Sequence, residues 1–218
     1  MPTRARLSQE RSRERREALL DAAIELFAES GTRGLTHRAV AARAGLPSAS
    51  TTYYFSSIDD LIREALERHL RTWLAELEQL TSVTAALEAI PPEPVDLIAQ
   101  ILAQRPTQLV ATQLSILIEA GRDDELRPVL VEMLEALERL AATLLVRLGT
   151  RHPERIAATA IAVVAGLALD RLSKRHSTEQ EAKILFASLR SVIVADLLDA
   201  DETRDVLGRL RPVQGTDG

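Results

Sequence analysis

Apolar residues recur every three or four positions along most of this chain, and no stretch alternates apolar and polar residues as a half-buried strand does. In the segment 58–80, for example, Leu66, Leu70, Trp73 and Leu77 fall on one face of a helix. Alanine and leucine are abundant and only 3% of the 218 residues are aromatic, which favours helix over sheet. The sequence therefore predicts an all-α fold of about nine helices.

Glycines, prolines and capping residues set the expected ends of these helices. Gly31 suits the C-terminus of the first helix, and Thr36 and Ser57 suit the N-caps of the second and the fourth. The prolines at 91, 92 and 94 predict a loop after the fourth helix. The predicted helices cover 10–30, 36–43, 47–54, 58–80, 95–104, 107–121, 124–148, 153–173 and 178–199.

Several classes of protein lack support in this sequence. Cysteine is absent, the four histidines do not have metal-ligating spacing, and no glycine-rich loop could cradle a phosphate. We therefore expect no enzyme activity, no catalytic residue, no metal and no cofactor. No apolar run is long enough to span a membrane, and the N-terminus lacks the apolar core of a secretory signal. These features predict a soluble, cytoplasmic protein that does not contact membranes.

Charge is distributed unevenly along the chain. Residues 1–58 have a net charge of +3, whereas residues 59–218 have a net charge of −8. A basic N-terminal segment before an acidic body predicts an anionic partner for that segment alone. A solvated, charged tail would give the same pattern, so charge leaves both interpretations open.

The segment 36–54, THRAVAARAGLPSASTTYY, predicts two short helices that meet at a glycine-containing turn. This is the pattern of a helix-turn-helix, whose second helix enters the major groove of DNA. We expect Val40, Ala41, Leu46 and Phe55 to pack against the first helix. The small residues Ala and Gly at 44–45 should let the two short helices approach each other closely. The same turn also joins ordinary packed helices, so the motif alone leaves that alternative open.

The longer run over residues 15–66, which includes ALLDAAIELFAESG, VAARAGLP and YYFSSIDDL, resembles the DNA-binding domain of TetR-family repressors without a gap. Residues 67–218 are similar to the family only in architecture. The resemblance implies a DNA-binding domain over 1–58 and a ligand-binding and dimerisation domain over 59–200. The polar segment 201–218 is predicted to be a disordered tail.

The resemblance also implies which residues contact DNA. Thr36 matches a threonine that caps the second helix and contacts phosphate, and Ser50, Tyr53 and Tyr54 match DNA-facing positions of the third helix. Two positions depart from the family pattern, because Thr52 replaces a tyrosine and Ile58 replaces a lysine that grips phosphate. The full predicted set is Thr36, His37, Arg38, Ser48, Ala49, Ser50, Thr52, Tyr53 and Tyr54. The lost contacts could be replaced either by His37, Arg38 and Arg43 or by an arginine-rich N-terminal arm with Arg4, Arg6, Arg11, Arg13 and Arg16.

The body is expected to form a dimer and a ligand pocket. The helices at 153–173 and 178–199 are apolar on nearly all sides, which predicts a two-fold interface, although burial within one monomer is the alternative. Thr112 and Gln113 interrupt an apolar run, either as ligand contacts or in hydrogen bonds between helices. The predicted pocket residues are Trp73, Leu77, Ile101, Leu109, Thr112, Gln113, Ile116, Met133, Leu137 and Val163. With few aromatic residues, a largely aliphatic ligand fits better than a flat cation.

Taken together, these patterns predict a homodimeric, sequence-specific DNA-binding regulator, and specifically a repressor that a small, largely apolar molecule releases from its operator. The alternative is a helical adaptor that binds other proteins and no DNA. The hydroxyl-rich third helix favours DNA, because an adaptor does not need such a surface.

Overall fold

The structure is a computed structural model that describes residues 4–86, 94–198 and 200–208. It confirms the all-α fold: every predicted helix is present, and the described residues contain no strand. A short 3₁₀ helix over Gly31–Gly34 joins the first two helices. The α-helices are α1 (Arg4–Ser30), α2 (His37–Arg43), α3 (Ala49–Tyr54), α4 (Ile58–Ala86), α5 (Pro94–Ala103), α6 (Thr107–Arg122), α7 (Arg127–Arg147), α8 (Pro153–Leu172), α9 (Thr178–Leu197) and α10 (Ala200–Gly208).

The main differences from the predicted bounds lie at the start of α1, at the end of α4, which continues to Ala86 rather than residue 80, and in the C-terminal segment. α1 begins at Arg4 rather than near residue 10, so the arginine-rich arm is the first part of a helix. This stretch has no glycine or proline, and Glu10 and Glu14 stand three or four positions from arginines, which supports helix. α10 occupies the start of the segment predicted to be disordered, with Asp201 and Glu202 in its first turn. The rest of that tail, 209–218, and most of the proline-rich loop, 87–93, lie outside the described residues.

The described residues divide into two compact units. The first consists of those within Met1–Gln79 and Arg105–Ala136, and the second of those within Leu80–Gln104 and Leu137–Gly218. The first unit therefore combines α1–α3 and most of α4 with α6 and the first half of α7. None of the described helices is long and apolar enough to cross a membrane. The functional division at residue 58 stays a prediction.

In the first unit, the core is built by the apolar faces of α1, α4, α6 and α7. Leu19, Leu20, Leu61, Leu66 and Ile116 have almost no exposed surface. Burying a leucine or isoleucine side chain of this kind contributes about 1.5–3 kcal/mol.

In the second unit, α9 packs against α5 and α8. Leu185 and Leu189 of α9 are buried with Ala99 of α5. A buried ion pair crosses the same region, because Arg171 Nε donates to Glu181 Oε2 at 2.6 Å. Arg171 Nη2 also donates to the Leu102 carbonyl at 3.0 Å, so one guanidinium ties the ends of α5, α8 and α9 together.

Candidate nucleic-acid interface

α2 and α3 are short helices whose ends are fixed by local hydrogen bonds and one glycine. The Ala39 N–H donates to Thr36 Oγ1 at 3.1 Å, which confirms the predicted N-cap of α2. Gly45 lies in the turn after α2 with φ of 67°, a left-handed conformation that favours glycine. The expected close approach at Gly45 is wrong, because a Cβ there would have no atom within 4 Å. Backbone conformation, and not space, accounts for this glycine.

The inner faces of α2 and α3 hold the pair together and on α1. Val40, Ala41 and Phe55 are buried as predicted, whereas Leu46 is half-buried. The sequence did not single out Thr51, which is the fully buried residue of α3 and donates through Oγ1 to the Ser48 carbonyl at 2.9 Å. With its hydroxyl satisfied inside the helix, Thr51 packs as an apolar residue would, and its neighbours in α3 face outward.

The outward face of α3 is rich in hydroxyl groups. Ser48, Ala49 and Thr52 are exposed, Ser50 is half-buried, and Tyr53 is 79% exposed. At the start of α2, Thr36 and Arg38 are exposed and His37 is half-buried. Hydroxyl and guanidinium groups are donors to phosphate and base edges, and the methyl group of Ala49 suits a thymine methyl. Eight of the nine predicted DNA-contacting residues therefore lie on this outer surface or at its edge.

Tyr54, the ninth predicted residue, is turned toward α1. Its hydroxyl oxygen lies 3.1 Å from Ser12 Oγ, and its ring meets the Tyr53 ring edge-on at a centroid distance of 4.9 Å. Tyr54 thus fixes the position of α3 on α1 and supports the exposed ring of Tyr53. Sequence reasoning missed this contact because its partner lies 42 residues earlier in the chain.

Two arginines that could have compensated on DNA form ion pairs instead, Arg43 within the head, which we define as α1–α3, and Arg16 between the head and α4. Arg43 donates to Glu29 through both terminal nitrogens, at 2.9 and 2.7 Å, and to Glu25 at 3.2 Å. Hydrogen bonds from Arg43 lower the pKa of Glu29. Arg16 donates to Glu64 of α4 at 2.6 Å, and its guanidinium lies 5.2 Å from the centre of the Phe55 ring. These arginines therefore stabilise the head.

A groove of about 730 Å³ runs between α1 and α3. α1 contributes Leu7, Arg11 and Arg15 to its walls, and α3 contributes Ala49, Ser50 and Tyr53. The same α3 residues also belong to the outward face just described, so groove and face form one continuous surface.

Ionic and polar contacts join the head to α4 and α6. Arg68 of α4 donates to both Glu17 and Asp21 of α1. Gln108 of α6 donates through Nε2 to the Ala28 carbonyl of α1 at 3.0 Å. Arg63 of α4 also donates to Asp123, just after α6, at 3.0 Å. A change in the position of α4 or α6 would therefore act directly on α1 through these contacts.

The predicted ligand-pocket residues fall in different environments. Leu77, Ile116 and Met133 are buried, whereas Ile101 and Leu109 are 57% and 43% exposed. The remaining members are half-buried, namely Trp73, Thr112, Gln113, Leu137 and Val163. The polar members have partners, because Gln113 accepts from Arg105 and Thr112 donates to the Gln108 carbonyl at 2.9 Å. Within the described part of the chain, no cluster of three or more histidine or carboxylate residues could hold a metal ion.

α8 and α9 each leave a stripe exposed in the single chain, which is apolar on α8 and is interrupted by Arg190 and Ser191 on α9. On α8 the stripe contains Ala162, Ala165 and Leu169, and on α9 it contains Ala187 and Val194. Leu169 is 55% exposed and Val194 is 49% exposed. The predicted apolar character on all sides is thus only partly satisfied by packing within one chain.

The sequence matches two family models. Residues 19–65 match the model for bacterial regulatory proteins of the tetR family, and residues 88–213 match a tetracyclin repressor-like C-terminal domain. The chain belongs to the TetR family. It is therefore a transcriptional regulator with a DNA-binding helix-turn-helix, and regulators of this family bind operator DNA as dimers and bind small molecules.

Relatives of this TetR-family chain support the assignment over most of its length. It is 30% identical over 177 residues to the HTH-type transcriptional regulator BetI of Rhizobium meliloti (strain 1021). The aligned region covers 78% of this chain and 84% of that protein. The multidrug binding protein EbrR, solved in complex with malachite green, is 29% identical with a TM-score of 0.59, covering 83% and 98% of the two chains. A transcriptional regulator from Rhodococcus sp. Rha1 shares the fold at 22% identity, with a TM-score of 0.66 and coverage of 84% and 98%.

Proposed function

We propose that this chain is a homodimeric repressor that binds operator DNA through α3 and is released by a small, largely apolar ligand. The observation that carries the proposal is the outward face of α3, where Ser48, Ser50, Thr52 and Tyr53 present hydrogen-bonding groups next to the capped start of α2. Such groups read base edges when a helix lies in the major groove. No catalytic step belongs to this proposal.

The exposed stripes on α8 and α9 support the dimer. Apolar side chains that one chain leaves exposed at helical spacing are buried when a second copy packs against them. A dimer also suits the DNA, since two recognition helices must reach half-sites about one helical turn apart. The functional division at residue 58 follows from the same argument, with the head on DNA and the body in the dimer.

Release by a ligand is supported by the contacts that α4 and α6 make with α1. Trp73 lies on α4, which holds α1 through Arg68, and Gln113 lies on α6, which holds α1 through Gln108. A ligand that shifts either helix would alter the head that must fit the operator. EbrR, which shares the fold at 28–29% identity, has been solved with malachite green and with ethidium. This chain has only 3% aromatic residues, so we expect its ligand to be more aliphatic.

Two substitutions on the outward face of α3 test DNA binding. An operator is first selected from random DNA with the purified protein, and its affinity is then measured for Ser50→Ala and Tyr53→Ala. Each lost base contact should weaken operator binding by about 1–3 kcal/mol, or roughly 5- to 150-fold. Ser115→Ala, an exposed serine on α6, serves as the matched control and should bind normally.

Both α3 variants should keep wild-type helical content and thermal stability. Unchanged operator affinity in both would mean that another face of α3 meets the DNA. Failure of the wild-type protein to enrich any sequence would contradict DNA recognition and favour the adaptor alternative.

A further inference from the structure

Three of the arginines near the start of α1 differ in whether their guanidinium groups are paired. Arg16 faces α4, where it is paired with Glu64. Arg11 and Arg15 are one helical turn apart and exposed, and neither has an ion-pair partner among the residues that the structure describes. Unlike Arg16 and Arg43, these two guanidinium groups are not used to hold the head together.

Arg11 and Arg15 line the groove between α1 and α3 that also contains Ser50 and Tyr53. Among the described residues that line this groove there is no carboxylate. The hydrogen bond between Ser12 and Tyr54 holds α1 and α3 together beside the groove, so its width is fixed by contacts within the head. It is therefore a preformed, cationic surface continuous with the recognition helix.

We propose that this groove holds the sugar-phosphate backbone of one operator strand, with Arg11 and Arg15 contacting two of its phosphates. The inference rests on the proposed function, because it assumes that α3 lies in the major groove. A DNA strand that borders the major groove must pass alongside α3, and α1 is the helix that lies beside α3. Guanidinium groups suit phosphate, and Leu7 and Tyr53 offer apolar surface to the sugars.

The occupant is the DNA backbone rather than a bound small anion, because two arginines and the exposed ring of Tyr53 extend along an open surface. This assignment also accounts for the two departures from the family pattern. Thr52 and Ile58 occupy positions where the family has residues that contact phosphate. The α1 arginines replace those phosphate contacts from another helix. Contacts to phosphate position the protein without reading sequence.

Arg13 provides a matched control on the same helix. It is exposed, carries the same charge, and lies two positions from both Arg11 and Arg15, so it is turned by about 200° from each around α1. Substitution by glutamine preserves length and helix propensity, so Arg11→Gln, Arg15→Gln and Arg13→Gln change charge at comparable cost to the helix.

The experiment measures binding of each full-length variant to the selected operator and to a scrambled duplex, over about 50–200 mM salt. Each arginine that contacts a phosphate should lower the slope of log affinity against log salt by about 0.9. A dimer carries two heads, so the double variant Arg11→Gln/Arg15→Gln removes four phosphate contacts and should lose about 3.6 units of slope, with an equal fold-loss on both duplexes. Arg13→Gln should keep the wild-type slope. Melting temperatures of all variants check that the head stays folded.

If Arg13→Gln lost as much slope, only the overall charge of the head would matter. That result would contradict the proposal that the DNA backbone lies in this groove. Wild-type slopes in the Arg11 and Arg15 variants would also contradict backbone binding in this groove. In that case the proposed function would still stand if Ser50→Ala and Tyr53→Ala lost operator binding. If the wild-type protein bound no DNA, the proposed function and the groove would both fail.

Discussion

Asp196 of α9 has a side chain with no exposed surface, yet its carboxylate remains ionised. Burial opposes the charge, but hydrogen bonds from His152 and Arg155 and from the backbone N–H of Arg151 outweigh it and lower the pKa of Asp196 to about 2. The backbone N–H groups of residues 151 and 152 donate to Oδ2 at 2.6 and 3.1 Å. His152 is the N-cap of α8, and its own side chain does not cap the helix. The Asp196 carboxylate of α9 instead accepts hydrogen bonds from the backbone N–H groups at the start of α8.

Asp196→Asn should lower the urea midpoint of unfolding at neutral pH, because the neutral amide cannot replace the charged acceptor. The wild-type pKa is lowered from 3.8, so the stabilisation is complete above about pH 4 and is lost as the pH falls toward 2. The variant should lack this part of the pH dependence. Urea melts over that range measure it, with the exposed Asp124→Asn as control. Equal acid sensitivity in wild type and Asp196→Asn would show that another group is responsible.

At the scale of helices, the sequence predicted most ends but not the contacts between them. Thr36 and Ser57 cap α2 and α4 as expected, since capping depends on residues three positions apart. The roles of Arg16, Arg43 and Tyr54 could not be predicted in this way. Their partners lie between 14 and 48 positions away, and helical spacing says which face a residue occupies but not what meets it. For the same reason, the sequence offered Arg11 as a possible phosphate contact but predicted neither Arg15 nor the groove that these arginines share with α3.

The ionic contacts between α1 and α4 should contribute measurably to the stability of the head. Arg68 bridges Glu17 and Asp21, and each partly exposed pair is worth about 0.2–1 kcal/mol, so Arg68→Met should cost about 1 kcal/mol in low salt. Arg71→Met removes a pair within α4 only, with Glu67, and should cost about 0.5 kcal/mol or less. Urea melts in low and high salt compare them. Equal losses in the two variants would contradict a special role for the α1–α4 contact.

At the scale of the whole molecule, the exposed stripes of α8 and α9 tie DNA binding to assembly. The substitution Leu169→Glu places a charge in the middle of the α8 stripe and should convert the dimer to a monomer in analytical ultracentrifugation. Operator affinity should fall by roughly 100-fold or more, because two linked heads bind far more tightly than one. Ile118→Glu changes an equally exposed residue of α6 and should remain dimeric. A dimeric Leu169→Glu protein would contradict this interface.

Ligand control is the second property of the whole molecule. Trp73 is the only tryptophan and lies half-buried on α4, so its fluorescence should report a ligand. Medium-chain fatty acids should change this signal and lower operator affinity by roughly 5- to 150-fold, and ethidium should change it less. Mobility shifts with and without each compound make the comparison. A compound that saturates the Trp73 signal and leaves operator binding unchanged would contradict release by that site.

The first compact unit is assembled from two separated stretches of chain, with Gln108 donating to a carbonyl 80 residues earlier. During synthesis on the ribosome, the head emerges well before the segment 105–136 that completes its packing. At about 5–20 residues per second, that delay amounts to several seconds. Over this interval the apolar surface that Ile116 and Met133 later cover remains open to water. The nascent head is therefore a natural client for chaperones, and a chain cut near residue 80 would retain that exposed surface permanently.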